Sequence, residues 1–96
     1  MIELNEQDFN KYLQEKEMVL VYFTAQWCSF CKFVGPVMEE LSSTYNVVKV
    51  DCDEQRSLTT NHNVKNLPTV LLFKNNVEVK RFVGVVKKES ILAELK

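Results

Sequence analysis

Two cysteines separated by two residues, Cys28-Ser29-Phe30-Cys31, are the residues of this sequence best suited to chemistry. A C-x-x-C serves either dithiol–disulfide exchange or one half of a zinc site. Zinc commonly takes four ligands, and the remaining candidates are Cys52 and His62, with no second C-x-x-C. A mononuclear metal site is therefore the weaker reading. A Cys–His hydrolase needs an oriented histidine. His62 is the only one, and it falls at an expected helix end, where a surface role is the default. The bland alternative is a pair of inert buried thiols. Against it, the pair directly follows the apolar run Met18–Phe23 and precedes a helical pattern. Cys28 is then expected at the amino end of a helix, where free N–H groups and the macrodipole stabilise a thiolate. Cysteine pKa values in such settings fall by about one to several units. One helical turn brings the two sulfurs into bonding range. Cys28, at the helix start, would attack, and Cys31, one turn in, would resolve the mixed disulfide.

The elements that must position this pair are legible in the hydrophobic pattern. Ile2–Leu4 suits a short edge strand. Asn5 is a helix cap, and Phe9, Tyr12 and Leu13 recur at helical spacing over residues 6–16. Met18–Phe23, ending at Thr24, reads as a central strand buried on both faces. Val34, Val37, Met38, Leu41 and Tyr45 form a helical stripe, with Pro36 inside it as a kink. Val47–Cys52 reads as a strand, Gln55–His62 as a helix, and Asn63 as its left-handed cap. Thr69–Phe73 and Val77–Val83 form a hairpin turned at Asn75-Asn76. Ser90–Leu95 closes the chain as a helix. The order β-α-β-α-β-α-β-β-α predicts an α/β fold: parallel strands, helices on both faces, and the late hairpin as an antiparallel edge.

Composition bounds the function. The chain has 96 residues, 46% hydrophobic and 26% charged, which suits a single globular domain over 1–96. A net charge of −1 argues against binding nucleic acid through phosphate attraction. No apolar run is long enough for a membrane-spanning helix. The first residues lack the basic and apolar stretches of a signal peptide, so a cytoplasmic location is expected. An odd count of 3 cysteines argues against a structural disulfide framework. No large apolar stripe is evident, so a monomer is the default.

Several segments together resemble the thioredoxin family over essentially the whole chain. They are Val19–Lys32 with the C-x-x-C, Val48–Asp51, Leu67–Asn75 with Pro68, and Val83-Gly84. The resemblance implies a thioredoxin fold with a central mixed sheet, and a thiol–disulfide oxidoreductase that reduces protein disulfides. Cys28 matches the attacking cysteine, Cys31 the resolving one, and Trp27 the tryptophan beside the pair. Pro68 matches the family's cis-proline, whose loop, with Leu67, faces the sulfurs and pairs with substrate backbone. Gly84 matches the glycine that lets substrate approach, and Pro36 the helix-kinking proline. The resemblance also implies no bound cofactor. Electrons would come from an NADPH-dependent flavoprotein reductase, or from glutathione.

Three features depart from the family pattern. Ser29-Phe30 replaces the usual Gly-Pro, so a strongly reducing potential does not follow, and Phe30 either shields the disulfide or reshapes the substrate surface. Tyr22 stands where the family has a buried acid that helps deprotonate the resolving cysteine. Lys49, the usual neighbour of that acid, would then hydrogen-bond the Tyr22 hydroxyl or reach water, and product release would slow near neutral pH. Cys52 reads as a small half-buried hydrophobe, with a redox-sensitive regulatory thiol as the sharper alternative. These departures keep two other functions open: a glutaredoxin-like, oxidising or isomerising exchange enzyme, and a binding module using Trp27, Phe30 and Pro68.

Overall fold

A computed structural model describes residues 1–95; Lys96, the last residue of the single-domain reading, lies outside the described residues. Nine elements follow in the expected order: β1 (Ile2–Glu3), α1 (Glu6–Glu15), β2 (Met18–Thr24), α2 (Cys31–Leu41), β3 (Val47–Asp51), α3 (Arg56–Asn61), β4 (Thr69–Lys74), β5 (Val77–Val83) and α4 (Lys88–Glu94). The local signals act as their chemistry dictates. Asn5 caps α1 by accepting a hydrogen bond from the Asp8 N–H at 2.9 Å. Asn63 has φ 55° just past α3. Asn75 and Asn76, with φ 51° and 67°, make the β4–β5 turn, since asparagine tolerates the left-handed region.

Strand order in the sheet is β1-β3-β2-β4-β5. β1, β3 and β2 are mutually parallel, whereas β4 is antiparallel to β2 and β5 antiparallel to β4. The sequence pattern suggested parallel strands with antiparallel pairing confined to the edge hairpin. Instead, the reversal sits beside the central strand. The hydrophobic period marks which face a strand buries but not which way the strand runs. The eleven residues of α2 rise about 16 Å, enough to carry the chain back along a strand, but the six of α3 rise only about 9 Å. The chain enters β4 at the end where it left β3.

Alternation along β2 builds a core on each face. Val19, Val21 and Phe23 join Phe9 and Leu13 of α1, Leu58 of α3, Val48, Val50, Leu71 and Phe73. Leu20 and Tyr22 join Cys31, Val34, Met38 and Leu41 of α2, Val70, Leu72 and Ile91 of α4. β2 is thus the layer both cores share.

Two expectations are corrected here. Tyr45 lies beyond α2, in a turn closed by its N–H on the Leu41 carbonyl. His62 is not a surface residue. Its half-buried ring packs against Phe9, with centroids 5.0 Å apart, and against Phe73 at 5.9 Å. Arg81 of β5 fixes that corner by donating to the His62 and Asn63 carbonyls.

Candidate active site

Cys28 and Cys31 form a disulfide at the carboxyl end of β2, with Cα atoms 5.4 Å apart. Cys28 is half-buried and Cys31 only 6% exposed, the asymmetry that an attacking and a resolving sulfur require. One geometric expectation is corrected. Cys31 is the first residue of α2, and Cys28 precedes the helix, in a turn closed by its N–H on the Ala25 carbonyl at 3.2 Å. Phe30 occupies the N-cap in helical conformation and makes no side-chain cap, and no acidic residue stands in the first turn. The positive end of α2 is therefore left for a sulfur anion rather than spent on a capping side chain. Ser29 is exposed and makes no cap either.

Three further loops meet this one because strand register brings them to the same end of the sheet. Phe23 of β2 pairs with Thr69 of β4, and Thr69 with Val83 of β5. Pro68 and Gly84 therefore adjoin the strand end from which the cysteine loop departs. The Leu67–Pro68 bond is cis. The Gly84 N–H donates to the Pro68 carbonyl at 2.8 Å, tying the two loops together. Leu67 is half-buried and packs against the core cluster that holds Cys31 and touches Cys28. Gly84 has φ +88°, and no atom lies within 4 Å of where a Cβ would stand. The third loop follows β3. Its Asp53 accepts a 2.8 Å hydrogen bond from the indole N–H of Trp27, which is 67% exposed. Asp51, buried, accepts from the Asp53 and Glu54 N–H groups and holds that loop in shape. Sequence reasoning missed both carboxylates. The only available signal was an Asp-Cys-Asp run after a strand, and nothing local pairs it with Trp27.

A cleft of about 510 Å³ opens behind the disulfide, lined by Tyr22, Cys28, Cys31, Lys32, Gly35, Glu39 and Lys49. Tyr22 pairs across the sheet with Lys49. The Tyr22 hydroxyl does not receive a hydrogen bond from Lys49. It donates to the Cys31 carbonyl at 3.1 Å, while Lys49, half-buried, faces the cleft, the second of the two arrangements the sequence allowed. Burial pushes the Tyr22 phenol pKa above its ordinary value, so it remains a neutral donor at physiological pH. It cannot take a proton as a carboxylate would.

Cys52 is unpaired and 9% exposed, within the core on the α1/α3 face. Burial is the main cause of a raised thiol pKa. A Thr59 hydrogen bond pulls it down, and the Asp51 and Asp53 charges push it up. Such a thiol carries little thiolate at neutral pH and is poorly reactive. The structure thus favours the small-hydrophobe reading of Cys52 over the regulatory one.

The thioredoxin family model matches residues 1–96. A chloroplastic M-type thioredoxin of Spinacia oleracea is 34% identical over 93% of this chain, which spans about half (52%) of that protein's length. A thioredoxin of Mycobacterium tuberculosis is 40% identical over 86% of this chain and 75% of its own length. The solved structure of a mutant thioredoxin from Halobacterium salinarum superposes with a TM-score of 0.91 at 26% identity, covering 97% of this chain and 85% of that one. Matches of this extent, on a chain whose Cys28 and Cys31 already form a disulfide at the end of β2, show that it belongs to the thioredoxin family of thiol–disulfide oxidoreductases, which work through a redox-active disulfide and no prosthetic group.

Proposed function

We propose that this protein works as a reductant of protein disulfides in the cytoplasm, as a monomer, with electrons supplied by an NADPH-dependent flavoprotein reductase. The observation that carries the reading is the unequal burial of the two sulfurs at the uncapped start of α2. In the reduced protein, the Cys28 thiolate attacks one sulfur of the substrate disulfide. That S–S bond breaks, and the other substrate sulfur leaves as a thiolate and takes a proton. Cys31 then loses its proton and attacks the Cys28 sulfur, releasing the second substrate thiol and forming the Cys28–Cys31 disulfide. Two electrons pass from the cysteine pair to the substrate, and the reductase returns them. Pro68 and Gly84 fit the role of flanking the incoming chain, and Leu67 offers it backbone groups for strand-like pairing.

A second reading is favoured by Ser29-Phe30 and by Tyr22 at the position of the family's acid: glutathione-coupled or oxidising exchange. The equilibrium reduction potential of the pair separates the two, read through Trp27 fluorescence in dithiothreitol and glutathione buffers. A value near about −270 mV, typical of thioredoxins, supports the general reductant. A value near about −200 mV or higher transfers the case to the second reading. Failure to form the disulfide at all would leave only a binding module. Light scattering checks the monomer.

A further inference from the structure

Trp27, Phe30 and Phe33 fall within one short segment, and all three are more than half exposed, at 67%, 61% and 56%. Solvent-exposed aromatic clusters of this kind mark contact surfaces. Trp27 is anchored by Asp53, but Phe30 and Phe33 have no such tie among the described residues. They stand three apart, so they are neighbours on the helix surface, and the Phe33 N–H bonds the Phe30 carbonyl at 3.1 Å. Each precedes a buried residue, Cys31 or Val34, so the pair lies on the flank of α2 rather than in its core-facing stripe. The Lys32 ammonium sits 5.3 Å from the centre of the Phe33 ring, which places a positive charge at the edge of the aromatic surface.

We propose that Phe33, together with Phe30, forms an aromatic shelf that selects among disulfide substrates. It would take an apolar side chain two or three residues from the substrate's cysteine, with a neighbouring carboxylate facing Lys32. The inference rests on the disulfide-exchange reading, because that chemistry fixes where the partner must lie. A mixed disulfide holds the substrate cysteine's Cα about 4.4–6.8 Å from that of Cys28. An extended chain then advances about 3.3 Å per residue. Two or three residues suffice to pass Phe30 and reach Phe33, one helical turn on. Charge favours an acidic neighbour: Lys32 stands at this edge, and the first turn of α2 holds no acid. Phe33 belongs to no part of the exchange chemistry itself, so its contribution is to substrate choice.

The test uses short peptides with one cysteine joined by a disulfide to 5-thio-2-nitrobenzoate. Attack of the Cys28 thiolate on the peptide sulfur breaks that disulfide and expels the coloured thiolate, the better leaving group. Cys31 then frees the peptide thiol. One peptide carries Phe-Asp beginning two residues from its cysteine, a second Ser-Ser, and a third Phe-Lys. In single-turnover mixing, the reduced wild-type protein is expected to release the coloured thiolate with a second-order rate constant about tenfold higher for Phe-Asp than for Ser-Ser, the scale of partly burying one aromatic side chain, with Phe-Lys between them. Phe33→Ala should bring the Phe-Asp to Ser-Ser ratio to about twofold or less. Phe33→Leu, which keeps apolar bulk, should restore most of it. Equal rates on all three peptides, or a preference that survives Phe33→Ala, would overturn the shelf while leaving disulfide exchange intact. Absence of coloured product from every peptide would instead overturn the exchange reading, and the shelf with it.

Discussion

At the scale of single residues, the site is organised around what Tyr22 cannot do. It occupies the wall behind Cys31 and donates to the Cys31 carbonyl, but its raised pKa leaves it unable to accept the resolving cysteine's proton near neutral pH. Resolution should therefore be slow there. Tyr22→Asp is expected to speed release of the second product thiol in rapid-mixing experiments. No gain in a folded Tyr22→Asp protein would remove proton acceptance as the limit. Cys52 makes the opposite case, a thiol made quiet by its setting. Its pKa is raised by burial, so the folded protein holds that proton more tightly than the unfolded chain does. The stability this confers is complete below the ordinary thiol value of about 8.5 and is lost as pH rises through the folded value. Urea melts of the oxidised protein should lose stability above about pH 8.5, and Cys52→Ala should flatten that decline. Mild peroxide should oxidise the reduced Cys28–Cys31 pair, while mass spectrometry finds Cys52 still a free thiol.

Among the elements, α2 and the Gly84 loop carry the functional compromises. A helix start normally gains stability from a capping side chain, and α2 has none. Supplying one should stabilise the helix and harm the site. In Phe30→Asp, a carboxylate at the N-cap would compete with the Cys28 thiolate for the helix N–H groups and repel it. The Cys28 pKa should rise, seen as an alkaline shift in the pH profile of iodoacetamide alkylation. An unchanged profile would mean the helix start does not set thiolate stability. At Gly84 the constraint is backbone conformation rather than space. A Cβ there meets nothing, yet φ +88° is unfavourable for any side-chain-bearing residue. Gly84→Ala should cost about 1–2 kcal/mol in chemical denaturation. Since its N–H holds the Pro68 carbonyl, protein-disulfide reduction should fall more than reduction of a small disulfide.

For the whole molecule, the sheet is a shared layer between two cores, and stability should fall off from its centre to its edge. Leu72 is 1% exposed on the inner strand β4, whereas Val79 is 50% exposed on edge strand β5. Leu72→Ala should destabilise by about 3 kcal/mol, through lost burial and the cavity left behind. Val79→Ala should stay within about 0.5 kcal/mol. Hydrogen exchange should likewise find the slowest amides in β2 and β4 and the fastest in β5. Equal losses at the two positions would contradict the two-core description. The disulfide leaves from the end of β2, so it is mounted on the most buried strand of the molecule.

Much of this was present in the sequence because it is local. Hydrophobic period, Asn5, Asn63 and the Asn75-Asn76 turn act over a few residues, and the element order followed from them. The C-x-x-C after a buried run marked the reacting pair, and the resemblance to the thioredoxin family implied that Trp27, Pro68 and Gly84 surround it. What the sequence could not settle depends on contacts between residues far apart in the chain. The antiparallel placement of β4 is a matter of its pairing with β2, far away in the chain. The Trp27–Asp53 hydrogen bond, the aromatic enclosure of His62 and the turn of Tyr22 toward Cys31 rather than Lys49 each join separate elements. Short-range propensity carries no information about such partners. They are chosen by which side chains the folded sheet brings within hydrogen-bonding or packing distance, and only the tertiary structure decides that.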